Sequence, residues 1–143
     1  LLFEGIGDTM RVSLTGDPVQ EVYAAKQILA AVGLRSNGIE VISCPTCGRT
    51  IGDIEGAVEE LKRRLPKTEV PLRIAVMGCA VNGPGEAREA DFGAAYGKDN
   101  AVLFSHGEKL RSLPQSQVVD ALLELAIAHI DGAEKSRFPK ENR

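Results

Sequence analysis

The chain has 143 residues, of which 43% are hydrophobic and 26% are charged, and this composition suits one soluble globular domain or one domain with a piece of another. A net charge of −3, the lack of a long basic block and only 4% aromatic residues argue against nucleic acid as a partner. No stretch is apolar over the roughly 18 residues of a membrane span, and no signal peptide is evident, so no membrane partner is expected.

The first elements in chain order are a strand and a helix. Residues 10–14, MRVSL, are predicted to form a buried strand. Because a domain rarely begins with such a segment, we expect this stretch to belong to a larger neighbouring domain. A helix is predicted next, with Asp17 as N-cap, Pro18 at the first helical position and Gly33 just after its end.

A strand–helix–strand unit follows. Residues 39–43, IEVIS, are rich in β-branched side chains and predict a strand. Apolar residues at helical spacing predict a helix over 53–65, which Pro66 ends, and residues 72–78, LRIAVMG, predict a second buried strand. The unit is long enough for a crossover between two parallel strands.

The remaining elements complete a predicted mixed sheet. Residues 91–97 and 101–107 should form a hairpin, and EKLRSL should add an edge strand. A final helix is predicted over 114–130, ended by Gly132 and followed by a frayed tail over 133–143. The expected fold class is therefore α/β (α+β), with a mixed sheet flanked by helices.

Three cysteines are the most informative residues in the chain. They cannot all pair, and their spacing does not suit a secreted disulfide scaffold, so reduced thiols in a cytosol-like compartment are expected. Cys44 and Cys47 follow the first strand of the crossover unit in SCPTCGRT, and Cys79 follows the second strand directly. Because parallel strands carry their ligands at one carboxyl edge, the three thiols could converge there.

Three thiolates select a soft metal, which leaves zinc, cuprous copper or an iron–sulfur cluster open. A structural zinc site needs a fourth Cys or His, and the spacing of His106 and His129 singles out neither as a ligand. A 4Fe–4S cluster also takes four ligands as a rule. Glu86 in the loop CAVNGPGE could add a weakly held oxygen ligand, or it could be a solvated surface residue.

Three stretches together resemble one enzyme family. The segments EGIGDTMRVSLTGDP, ISCPTCGRT and VMGCAVNGPGEAREADFGAAYG are similar to 4-hydroxy-3-methylbut-2-enyl diphosphate synthases of the methylerythritol phosphate route to isoprenoids. The resemblance implies a TIM barrel followed by a small cluster domain, similar to the iron–sulfur domain of sulfite and nitrite reductases. It divides this chain into the last barrel strand (1–16), a helix and linker (17–38), the cluster domain (39–132) and a tail (133–143).

The resemblance also implies the site. Cys44, Cys47 and Cys79 would bind a 4Fe–4S cluster, and Glu86 would be its exchangeable fourth ligand and the catalytic carboxylate. Arg11 and Ser13 match positions that hold the substrate diphosphate, for which the guanidinium of an Arg is well suited. Asn82 would either contact the substrate or shape its loop. Arg49 and Thr50 could hydrogen-bond near the cluster sulfurs, although a turn at the helix entry is the favoured interpretation.

The implied activity is that of an oxidoreductase. The family converts 2-C-methyl-D-erythritol 2,4-cyclodiphosphate to 4-hydroxy-3-methylbut-2-enyl diphosphate by two-electron reductive ring opening and dehydroxylation. Ferredoxin or flavodoxin supplies the electrons, and the enzyme is a homodimer in the bacterial cytoplasm. Without a barrel, the cluster domain is expected to be inactive by itself. Two alternatives stay open: a zinc-stabilised structural module without catalysis, and a plain electron carrier, against which the missing fourth cysteine counts.

Overall fold

The computed structural model describes residues 1–36, 38–79, 85 and 88–137, and within this part the chain divides into two compact units, residues 1–37 and 38–143. The helices and strands lie at these positions: α1 at Val19–Ala31, β1 at Ile39–Ser43, α2 at Ile54–Arg64, β2 at Leu72–Met77, β3 at Phe92–Tyr96, β4 at Ala101–Ser105, β5 at Glu108–Leu113 and α3 at Val118–Arg137. Short 3-10 helices add Leu2–Glu4 and Gln115–Gln117.

The first unit contains α1. The Asp17 side chain accepts a hydrogen bond from the Val19 N–H at 3.0 Å, but Pro18 is the N-cap and the helix begins at Val19, one residue later than predicted. Gly33 after the helix has a φ of 74°, which confirms the predicted C-terminal end. The strand expected over residues 10–14 is not formed. A strand needs a neighbour for its backbone hydrogen bonds, and in the described part of the chain no segment pairs with this one.

The second unit is built on one five-stranded sheet in the order β1-β2-β3-β4-β5. β1 and β2 are parallel, as the crossover unit predicts, and β2 and β3 are parallel as well. β3, β4 and β5 are antiparallel neighbours, which confirms the predicted hairpin and edge strand. The sheet is therefore mixed, and the predicted α/β class is confirmed.

Two clusters of buried side chains cover the two faces of the sheet. One face presents large side chains such as Ile74, Val76 and Leu103, which pack with residues of α2 and α3. The other face presents a smaller cluster made largely of alanines, together with Met77 and Phe104, and Cys44 packs against it. The alternation along each strand follows from the period of two in β-structure.

The last helix differs from its prediction at both ends. It begins after a 3-10 turn at Gln115–Gln117, and it does not end at Gly132 but continues to Arg137. Gly132 costs the helix roughly 1 kcal/mol, and the good helix formers Ala, Glu and Lys that follow it add little further cost to continuing the helix. Within the described residues no helix is both long and apolar enough to span a membrane.

Candidate metal centre

The loop after β1 places Cys44 and Cys47 at the carboxyl edge of the sheet. The Cys47 N–H donates to Thr50 Oγ1 at 2.9 Å, and the Thr50 N–H donates back to the Cys47 carbonyl at 2.9 Å. The Arg49 N–H points at Cys47 Sγ, with a nitrogen–sulfur distance of 3.4 Å. Arg49 and Thr50 thus take part in a turn, as the favoured interpretation has it, and the backbone N–H of Arg49 also meets a cysteine sulfur, as the other interpretation has it.

Thr46, between the two cysteines, has a strained backbone. Its φ is 41°, in the left-handed region that β-branched residues rarely adopt. Pro45 fixes the preceding φ and so reduces the freedom of the chain to avoid this conformation. Such outliers persist only where neighbouring contacts hold them, and the two hydrogen bonds between Cys47 and Thr50 are contacts of that kind.

The end of β2 brings the second cysteine segment against the first. The Cys44 N–H donates to the Val76 carbonyl at 3.3 Å, which extends the pairing of β1 with β2 beyond Ser43. The Gly78 N–H then donates to Cys44 Sγ at 3.1 Å, and the Ile51 N–H donates to the Gly78 carbonyl at 2.7 Å. Cys79 follows Gly78 directly, so the predicted meeting of the two cysteine segments at one sheet edge is found.

The three cysteines differ in exposure. All three are thiols rather than disulfides, with Cys44 and Cys79 half-buried and Cys47 exposed. Among the described residues no three Cys, His, Asp or Glu side chains lie close enough together to hold one metal ion. Glu86 and Asn82 lie outside the described residues.

The donor chemistry at this edge fits a thiolate-bound metal. Cys44 and Cys47 each receive a backbone N–H at sulfur, and hydrogen bonds to ligand sulfurs are a regular feature of iron–sulfur sites. The two histidines do not contribute in this conformation. His106 has a φ of 47° and forms a tight turn with Gly107 between β4 and β5, and exposed His129 on α3 meets the edge of Phe92 at a ring distance of 6.3 Å.

A second layer of contacts supports the turn between the cysteine loop and α2. Gly52 has a φ of 87°, and a β-carbon there would stand 2.6 Å from the buried ring of Tyr96 at the end of β3. Asp53 caps α2 by accepting from the Gly56 N–H at 2.9 Å. Burial raises the pKa of Tyr96, and the negative charge of Asp53 raises this pKa further.

A cleft of about 350 Å³ opens beside Cys44. Residues 43–46 form one wall, and Ile54, Glu55, Val58 and Glu59 of α2 form the other. Solvent therefore reaches the neighbourhood of the Cys44 thiol, but the cleft carries two carboxylates and no basic side chain. An anionic ligand would be repelled here.

The predicted substrate residues of the first unit are exposed. Arg11 and Ser13 both present their side chains to solvent in a segment without regular secondary structure. Their role at a diphosphate stays a prediction.

Sequence reasoning missed Gly78, whose backbone joins the two cysteine segments. The sequence sign that could have indicated it is a glycine directly before a cysteine at a strand end.

The fold and this edge define a class of protein: an α/β domain that collects cysteines from two loops at the carboxyl end of parallel strands. A family described as GcpE protein C-terminal domain matches residues 40–128, and the chain belongs to that family.

Curated relatives extend the match beyond this domain. One from Corynebacterium diphtheriae is 48% identical over 136 residues, which cover 94% of this chain and 35% of the relative. Others from Dehalococcoides mccartyi strain BAV1 and from Geobacter sulfurreducens are each 54% identical over 123 residues, or 86% of this chain and 35% of the relative. All three are named 4-hydroxy-3-methylbut-2-en-1-yl diphosphate synthase (flavodoxin). The chain thus spans about a third (35%) of the length of these relatives.

Proposed function

We propose that this chain is the cluster-bearing domain of a 4-hydroxy-3-methylbut-2-enyl diphosphate synthase. In isoprenoid biosynthesis this oxidoreductase would reduce 2-C-methyl-D-erythritol 2,4-cyclodiphosphate with two electrons, opening the ring and removing a hydroxyl group. The observation that carries the proposal is the contact of Gly78 with Cys44, which joins both cysteine segments at one sheet edge. The names of relatives about half identical to the chain support it.

The thiolates of Cys44, Cys47 and Cys79 would hold a 4Fe–4S cluster, with Glu86 as the fourth ligand. When bound, the cluster supplies electrons and a Lewis-acidic iron to the reaction. Support comes from the soft sulfur donors and from the backbone N–H groups that meet two of them. A carboxylate at Glu86 is a hard ligand among soft ones, and it would leave this position more readily than a thiolate.

The chain's own charges indicate where the substrate would not bind. The cyclic diphosphate is an anion, and Glu55 and Glu59 line the cleft beside Cys44. That cleft is therefore a poor diphosphate site. Arg11, Ser13 and Asn82 would make the substrate contacts instead, with Arg11 offering paired N–H donors to phosphate oxygens.

The electron donor would be flavodoxin, as in the names of the relatives, or ferredoxin. The basic residues Lys62 and Arg63 stand in the last turn of α2, whereas the first turn of α2 lines the cleft beside Cys44. Eleven helical residues span about 16 Å. An acidic donor bound at these two residues would thus sit far from the cysteines, so this basic pair alone does not mark the docking site. A bacterial cytoplasmic location and a homodimer complete the proposal.

The first test is the metal content of the chain purified without oxygen. About four iron and four acid-labile sulfide per chain are expected. The Cys79→Ser variant should lose most of both, whereas Ser43→Ala, beside the cysteine loop, should keep them. Zinc without sulfide would contradict the proposal and indicate a structural zinc module, whose folding chelators would abolish.

The activity needs a separate test, because the chain spans 35% of its relatives. In the Corynebacterium diphtheriae relative, the matching segment would be replaced by this chain, and reduction of the cyclic diphosphate would be followed with reduced flavodoxin. Turnover is expected. Glu86→Cys in this chimera should keep the cluster and block turnover, whereas Glu89→Cys, at an exposed position, should leave turnover intact. Full activity of the Glu86→Cys chimera would refute the role of Glu86.

A further inference from the structure

Gly78 touches both parts of the cysteine loop at once. Its N–H donates to Cys44 Sγ at 3.1 Å, and its carbonyl accepts from the Ile51 N–H at 2.7 Å. Thr50, one residue before Ile51, accepts the Cys47 N–H. A single residue at the end of β2 is therefore linked by hydrogen bonds to Cys44 and, through the turn of Thr50 and Ile51, to Cys47.

A side chain at Gly78 would press on the side chains of Thr50 and Cys44. A β-carbon at this position would stand 2.8 Å from Thr50 Cγ2, 3.2 Å from Thr50 Oγ1 and 3.1 Å from Cys44 Sγ. The backbone of Gly78 is buried. Its φ lies outside the left-handed region, so a glycine is needed here for close approach and not for an unusual backbone angle.

We propose that Gly78 and Thr50 together are positioning residues, which lock the loop of Cys44 and Cys47 to the segment of Cys79 and so set the spacing of the three metal-binding thiols. We call the contacts among Cys44, Thr50, Ile51 and Gly78 the loop lock. This inference rests on the proposed function, because it assigns the lock to the assembly of the cluster. The inference adds Gly78 and Thr50 to the proposed cluster site as residues that do not bind the metal themselves.

The lock would also tune the reduction potential of a bound cluster. The Gly78 N–H meets the sulfur of Cys44, and hydrogen bonds to ligand sulfurs stabilise the more negative, reduced form of an iron–sulfur cluster. Moving this donor away from the sulfur should therefore lower the reduction potential. A residue that served only to stabilise the fold would not change the potential of clusters that had formed.

The test uses the full 143-residue chain with three variants. Gly78→Ala places a methyl group against Thr50 and Cys44. Thr50→Ser keeps the hydroxyl that accepts from Cys47 but removes the Cγ2 methyl, so the double variant Gly78→Ala/Thr50→Ser should relieve part of the clash. Gly48→Ala is the matched control, because it lies in the same loop and a β-carbon there meets no atom within 4 Å.

Two measurements are made on each protein. In the metal-free chain, hydrogen exchange at the Ile51 amide reports directly on its bond to Gly78, and the Gly97 amide, bonded to the Asn100 carbonyl, serves as reference. Gly78→Ala should speed exchange at Ile51 by at least about tenfold relative to Gly97. After anaerobic reconstitution, Gly78→Ala should retain less iron and sulfide and show a lower reduction potential, with partial recovery in the double variant.

The outcomes separate this inference from the proposed function. If the unmodified chain takes up the cluster and Gly78→Ala matches Gly48→Ala in exchange, iron content and potential, the loop lock is refuted while the proposed function stands. If the unmodified chain takes up no cluster, the proposed function fails and the lock's assignment to cluster assembly fails with it. If exchange at Ile51 were still faster in Gly78→Ala, Gly78 would be shown to stabilise the loop without any role in binding a cluster.

Discussion

Gly93→Ala should be among the most destabilising single-methyl changes in this protein. Gly93 lies in β3 on the sheet face that carries Phe104 and the small residues. A β-carbon there would collide with the backbone carbonyl oxygen of Ala75 in the neighbouring strand, and it would stand 2.6 Å from Phe104 Cζ and 2.8 Å from Ala75 Cβ. The carbonyl and the Ala75 methyl have no rotamer through which to move aside.

The magnitude follows from which neighbours can yield. Overpacking a core costs about 1–3 kcal/mol, and the upper end applies when backbone must shift. Phe104 is 1% exposed, so its ring cannot swing into solvent without leaving a cavity. We therefore expect Gly93→Ala to lower the free energy of unfolding by about 3 kcal/mol, which corresponds to a fall in Tm of roughly 6–12 °C for a chain of this length.

Urea unfolding followed by circular dichroism measures this change, and an unaltered m-value would show that the denatured state is the same. Gly132→Ala is the control, because it makes the same chemical change inside α3 where a β-carbon meets nothing within 4 Å. It should raise stability by about 0.5–1 kcal/mol. A Gly93→Ala protein within about 0.5 kcal/mol of the unmodified chain would refute the packing argument.

Three further changes test the neighbourhood of the cysteines. Asp53→Ala removes the acceptor for the Gly56 N–H and should cost about 1 kcal/mol in urea unfolding, whereas Asp53→Asn should cost less than half of that. Thr46→Asn should raise the free energy of unfolding of the metal-free chain by about 1 kcal/mol, because Asn tolerates the φ of 41° better than a β-branched residue does. A lower free energy of unfolding would contradict the assignment of strain to Thr46. The pKa of Tyr96 is raised above 10.0 in the folded state, so the unfolded state releases this proton first as the pH rises. The contribution of Tyr96 to the free energy of unfolding is therefore fully present below pH 10, and it is lost as the pH rises through the raised pKa. Tyr96→Phe should therefore flatten the alkaline fall of Tm, and Tyr23→Phe on exposed α1 should not.

The sheet around the cysteines could be predicted because the sequence patterns that mark its strands and helices are local. The β-branched run IEVIS, the apolar residues at helical spacing over 53–65 and the stop at Pro66 each mark an element from neighbouring residues alone. The length of the connection then permits parallel pairing of β1 with β2, and parallel pairing places Cys44 and the segment of Cys79 at the same edge. The meeting of the cysteine loops thus follows from three short-range patterns.

Other features depend on contacts that no local pattern encodes. The close approach at Gly78 arises from how two loops meet in space, and the strain at Thr46 is held by hydrogen bonds within its own loop. The continuation of α3 past Gly132 depends on a sum of weak propensities over many residues, so one glycine does not by itself mark the end of a helix. The predicted strand over residues 10–14 needed a partner strand, and a sequence pattern of strand type cannot supply one.

One face of the sheet contributes to the stability of this domain without including the cysteines, whereas the other face contributes to stability and also supports the cysteine edge. Large side chains such as Leu72 and Leu122 fill the face that packs with α2 and α3, and none of the three cysteines belongs to that cluster. Cys44 packs instead against the cluster that contains Ala75, Met77 and Phe104. Truncating Leu122 should consequently lower Tm without slowing iron uptake by the folded chain. Gly93→Ala, which pushes on Ala75 and Phe104, should disturb both, because the displaced β2 carries Gly78 and Cys79 at its end.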